Sequence, residues 1–130
     1  MYNLPWKRIF VAFILTTLLR PSTADAGSAM YCTYQDIKPG LDAPQLIDVR
    51  DTDSYARSHI PEALHIPAYA IKTKGFLRNR DIVLMDAGWC NPVLERVCAE
   101  LNESGWKSVK ILRGGLSSWR RHGGRQAQAR

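Results

Sequence analysis

Ile82-Val83-Leu84-Met85 is an apolar run with no polar residue alternating through it, and it constrains the fold more than any other segment. A strand with one solvated face alternates apolar and polar side chains. One that is apolar throughout must be covered on both faces, the situation of a central strand in a helix-clad parallel sheet. Gln45–Val49 (QLIDV) and Val109–Leu112 (VKIL) have nearly the same character. Between these runs lie helix signals. Asp51-Thr52-Asp53-Ser54 offers N-cap residues to a short helix over Tyr55–His59, and Ala68–Lys74 reads as another. A longer helix is predicted over 92–104, opened by Asn91-Pro92 and stopped by Gly105, and a last one over 115–122. Weaker strands are expected at Met30–Thr33 and Ala63–Ile66, with one helical turn in Tyr34–Leu41 before Pro39-Gly40. The alternation predicts a single α/β domain with a five-stranded parallel sheet and helices on both faces.

The N-terminus follows a different logic. Lys7 and Arg8 precede the 11-residue apolar run Ile9–Leu19, Arg20-Pro21 breaks it, and Ala24-Asp25-Ala26 supplies a small-x-small pattern. That is the layout of a secretory signal peptide over residues 1–26. The run falls well short of the ~20 residues that span a bilayer, so no stable membrane span is expected after cleavage. Cleavage would leave 104 residues, enough for one modest core, and would place the protein in a periplasm or outside the cell. It would also lower the formal charge from +6 to +4, because Lys7, Arg8, Arg20 and Asp25 leave with it. The domain is expected over 27–122. Residues 123–130 form a basic tail without an apolar face, expected to be frayed and solvated. Nucleic acid is not an expected partner, since no aromatic platform accompanies the cationic residues.

Three cysteines remain, an odd count for an exported chain, so at least one thiol is free or bonded to another molecule. Cys98 shares a helical stripe with Leu94, Val97 and Leu101 and reads as core. Along one helix Cys90 and Cys98 would stand about 12 Å apart, beyond disulfide reach. Cys32 has no partner that sequence can assign. No zinc spacing occurs, and neither a metal nor a cofactor is expected.

Three separated segments then point to one family. Leu46-Ile47-Asp48-Val49-Arg50 is followed by acidic and polar residues and Tyr55; next comes His59-Ile60-Pro61-Glu62-Ala63-Leu64-His65-Ile66-Pro67; Gly114-Gly115 with Trp119 closes the pattern. In this order the chain resembles the single-domain rhodanese homology domain over about residues 30–122. Read without the family, Asp48 and Arg50 end a buried strand, where a charge pair or backbone hydrogen bonds would fix the next turn; His59 and His65 are hydrogen-bonded turn residues, and Trp119 anchors the last helix to the core. Gly114-Gly115 suits a tight turn that lets backbones approach closely. Glu62 stands where the family commonly has glycine, which implies strain if that turn needs a positive φ.

The resemblance implies a site in the loop Asp86-Ala87-Gly88-Trp89-Cys90-Asn91. In active rhodaneses the first residue after the fourth strand is a cysteine that carries a persulfide in a cradle of loop N–H groups at a helix N-terminus. Here that residue is Asp86, and Asn91 matches a position that is often arginine. A carboxylate there fills the cradle and repels thiosulfate, so the usual transfer is expected to be absent. Cys90, one residue before the Asn91 cap, is either a reactive thiol or an incidental one. Trp89-Cys90-Asn91-Pro92-Val93 is also similar to the thioredoxin WCGPC loop, with valine in place of the resolving cysteine. The expectation is therefore an exported rhodanese-like binding or regulatory module, partnered by an exported protein or a small sulfur compound. One alternative is a divergent sulfurtransferase or monothiol oxidoreductase acting through Cys90. The other is a subunit of an exported complex, contacted through Trp89 and the basic tail.

Overall fold

The computed structural model describes residues 29–88 and 90–129 of the chain. The signal-peptide reading of residues 1–26 and any role of Trp89 thus lie outside the described residues. Five strands form one sheet: β1 (Tyr31–Cys32), β2 (Gln45–Asp48), β3 (Leu64–His65), β4 (Asp81–Met85) and β5 (Ser108–Leu112). Their order is β1-β5-β4-β2-β3, and every pairing is parallel. Register sets Asp48 beside Met85 and Ile111 beside both Leu84 and Tyr31.

Within the described residues the sheet is flanked by the helices α1 (Thr52–Arg57), α2 (Pro92–Glu103) and α3 (Gly115–Arg121). Asp51 caps α1 by accepting from the Ser54 N–H, and Asn91 caps α2 with Pro92 at its first turn, as these residue types predict. The segment expected as a helix over Ala68–Lys74 is instead a 3-10 helix over Ala68–Thr73, followed by a 3-10 turn at Gly75–Leu77 that no sequence signal announced.

Alternate residues of the central strands feed two cores. Ile47, Ile82, Leu84, Val109 and Ile111 pack on one face with Leu94, Cys98 and Leu101 of α2. Leu46, Val83, Met85 and Leu112 pack on the other with Leu116 of α3, Ile60 and Ala63. That double coverage is why Ile82–Met85 carries no polar alternation.

The tail departs from expectation. Residues 123–129 are docked, not frayed. His59 and Ala127 exchange backbone hydrogen bonds of 2.9 and 2.8 Å, the Ala129 N–H donates to Ala56 O, and the Trp119 Nε1–H donates to Arg125 O at 2.8 Å. The segment is held by main-chain polar groups and by Gln126 Oε1, which accepts from Arg120 Nε at 2.7 Å and from the Ser58 hydroxyl; a search for an apolar face registers none of these.

Among the described residues no helix is long and apolar enough to cross a membrane, and no group of three metal-ligating side chains occurs.

Candidate functional site

The carboxyl ends of β4 and β5 open onto a cavity of about 310 Å³ between the loop after β4, the first turn of α2 and the loop after β5. Asp86, Cys90 and Asn91 line it from the first loop, Glu95 from α2, Tyr31 from β1 and Arg113 from the segment after β5. A crevice at the carboxyl ends of parallel strands is where open α/β sheets bind ligands.

Among the described residues, two hydrogen bonds hold the Asp86 carboxylate. Its Oδ1 accepts from the Ala87 N–H at 2.7 Å, and its Oδ2 accepts from Asn91 Nδ2 at 2.6 Å. Among the described residues the carboxylate thus takes the Ala87 loop amide, and a side-chain amide stands where a guanidinium was implied. Asn91 works at both ends, because its Oδ1 also accepts from the Val93 and Leu94 N–H groups at 3.0 and 3.3 Å. Pro92 has no N–H, and the Glu95 N–H donates to Asn91 O. The donors of the first turn of α2 are thus spent on the cap.

The opposite wall is tied to the loop by α3. Leu116 N–H donates to Asp86 O at 2.9 Å, and the Ser117 N–H and hydroxyl donate to Ala87 O at 3.1 and 2.9 Å. Gly115 makes this approach possible: its φ is +49°, and a Cβ on it would lie 2.2 Å from Asp86 O. Gly115 is thus required by the site itself, whereas a Cβ on Gly114 would meet Ser118 of α3 at 2.8 Å.

Cys90 is exposed. Its thiol donates to Glu95 Oε1 at 3.6 Å and lies 3.8 Å from the Tyr31 hydroxyl. That hydroxyl in turn donates to the same carboxylate oxygen of Glu95. Donation to Glu95, then burial, then the neighbouring thiol push the Tyr31 phenol well above the usual tyrosine range. The Arg113 guanidinium sits 5.1 Å from the centre of the Tyr31 ring. Sequence reading missed Tyr31 and Glu95. Glu95 carries a weak local signal, an acidic residue in the first helical turn five positions after a cysteine. Tyr31 carries none, because only the pairing of β1 with β5 brings it here.

The remaining singled-out residues are structural. Arg50 makes a bidentate pair with the fully buried Asp48, its Nη2 at 2.6 Å from Oδ2, and also donates to Ser58 O. His59 Nδ1 and His65 Nε2 donate to the carbonyls of Tyr55 and Arg50 at 2.8 and 2.7 Å, and Tyr55 stacks between the two imidazoles. Glu62 has φ +67°, so the turn keeps the left-handed geometry and the glutamate bears it. Cys32 and Cys98 are buried and free.

A model of the rhodanese-like domain family matches residues 33–122, more than half of the chain. The chain belongs to the rhodanese-like domain family. It is 32% identical over 80 residues to a sulfurtransferase of Allochromatium vinosum, an alignment covering 60% of this chain and 73% of that one. It is 30% identical over 77 residues to the thiosulfate sulfurtransferase GlpE of Coxiella burnetii, covering 59% and 72%. The solution structure of the rhodanese-like domain from the Alr3790 protein of Anabaena superposes with a TM-score of 0.63 at 25% identity, covering 76% of this chain and 79% of that one. Within this rhodanese-like domain, the residue that directly follows β4 is Asp86.

Proposed function

We propose that this rhodanese-like domain does not perform thiosulfate sulfurtransfer at the position its family uses, and that it serves as a binding or regulatory module through the cavity beside residues 86–91. The observation that carries this reading is the Asp86 carboxylate, seated after β4 on the Ala87 N–H and Asn91 Nδ2. A carboxylate cannot accept sulfane sulfur as a persulfide, and its charge opposes the approach of thiosulfate. The partner would be an exported protein or a small sulfur compound, on the reading of residues 1–26 as a secretory leader. Back-substitution tests the proposal. Wild-type protein is expected to transfer no sulfur from thiosulfate to cyanide, whereas Asp86→Cys gains a persulfide on the remaining loop amides. Wild-type transfer that survives Cys90→Ser would overturn it.

One observation favours a second reading. Cys90 is an exposed thiol on the wall of the same cavity, so sulfur chemistry, where it occurs, would run through Cys90 as a displaced sulfane carrier or a mixed disulfide.

A further inference from the structure

We infer that Cys90, Glu95 and Tyr31 form a nucleophile, proton acceptor and positioning group for thiol–disulfide exchange, and that the site selects small disulfides carrying positive charge. The inference rests on the second reading above and names its reaction and its substrate class.

Three different elements supply the three groups: the loop after β4, the first turn of α2, and β1 on the far side of β5. The sulfur donates to a Glu95 oxygen that also accepts from Tyr31, so the acceptor is itself oriented by a third side chain. A nucleophile in contact with a base that a third group holds is the arrangement that activates weak nucleophiles. The cavity alongside, about 310 Å³, is large enough for a small disulfide and reaches the exposed sulfur.

The step balances without an outside oxidant, because the incoming disulfide R–S–S–R is the oxidant. As Cys90 Sγ attacks one of its sulfurs, the thiol proton passes to Glu95 Oε1. The Cys90–S–S–R bond forms, the R–S–S–R bond breaks, and the departing thiolate takes the proton back from Glu95 as RSH.

Charge selects the partner. Glu95 touches the sulfur, and Asp86 is a second carboxylate on the cavity wall. Among the described residues Arg113 is the cation lining the cavity, and its guanidinium lies against the Tyr31 ring face. An incoming disulfide therefore meets carboxylate at the sulfur. Thiols activated by neighbouring cations draw anionic partners; this one favours cationic partners.

The test uses the reduced protein with cystamine (dication), bis(2-hydroxyethyl) disulfide (neutral) and dithiodiglycolate (dianion). Mixed-disulfide formation is followed by intact mass at low salt, and each rate is divided by that of a neutral model thiol with the same reagent. Cystamine is expected to lead dithiodiglycolate by at least about tenfold, since one contact between unit charges near 4 Å changes a rate roughly fivefold even in water. The ratio is expected to shrink at high salt. Glu95→Gln should abolish most of it, Glu95→Asp should restore part of it, and Tyr31→Phe should slow all three reagents while leaving it in place. Equal normalised rates, or an unchanged ratio in Glu95→Gln, would overturn the inference while leaving Cys90 a reactive thiol. No reaction with any disulfide or with iodoacetamide would overturn the second reading itself.

Discussion

Replacing Gly115 by alanine tests whether the turn after β5 is pinned against the loop that carries Asp86. Two costs add. The first is conformational, about 1 kcal/mol for holding alanine at φ +49°. The second is a collision: the new Cβ would lie 2.2 Å from Asp86 O, and ordinary contact begins at 3.4 Å. Opening that gap by more than an ångström breaks the two main-chain hydrogen bonds, from the Leu116 N–H to Asp86 O and from the Ser117 N–H to Ala87 O, each worth about 1 kcal/mol. The expected loss is therefore about 3 kcal/mol. Gly105→Ala supplies the control, because its φ is also positive at +81° and its nearest neighbour is Arg78 Nη2 at an unstrained 3.5 Å. It should cost only the conformational part, about 1 kcal/mol. Denaturant midpoints at unchanged slope measure both variants. Equal losses would show that α3 does not brace the loop, and the reasoning about the Gly114-Gly115 motif would fail.

Other consequences follow from the same geometry. Glu62→Gly should stabilise the fold by about 0.5–1 kcal/mol, because relief of a left-handed glutamate exceeds the entropy glycine adds to the unfolded chain; a lower midpoint would contradict this. Asp48→Ala should cost about 3–5 kcal/mol, since it strands the Arg50 guanidinium in a nearly buried position; denaturant titration showing less than 1 kcal/mol would place the pair in solvent. Burial pushes the Cys32 and Cys98 thiols up to about 11 from 9.0. Folded values above unfolded ones mean the folded state holds these protons more tightly. Their contribution is full below about pH 9 and is lost as pH rises through about 11. Wild type should accordingly lose stability more steeply over that window than Cys98→Val, and parallel curves would refute the assignment.

The fold was legible because its central strands are buried on both faces, which leaves an apolar signature that few architectures share. Ile82–Met85, the Asn91-Pro92 cap and the Gly114-Gly115 turn each announced themselves within a few residues. The cores of Cys98 and Leu101 followed from helical spacing. What sequence did not show depends on contacts made across the chain. Tyr31 reaches Cys90 only because β1 pairs with β5, a separation that no local pattern encodes. The same is true of the tail, whose docking on α1 and α3 combines backbone groups common to every residue with the Trp119 and Gln126 side chains. The family pattern located the loop, and the structure supplied what the pattern lacked: Asp86 bound by its own loop amide, and a thiol held by a glutamate and a tyrosine.

The most direct test of the proposal that the domain has no seat for sulfane sulfur apart from Cys90 is the intact mass of reduced Cys90→Ser protein after exposure to thiosulfate, and separately to a persulfide donor. No retained sulfur atom is the predicted result, since the remaining cysteines are buried and Asp86 offers no thiol. A stable gain of one sulfur in that variant would contradict it.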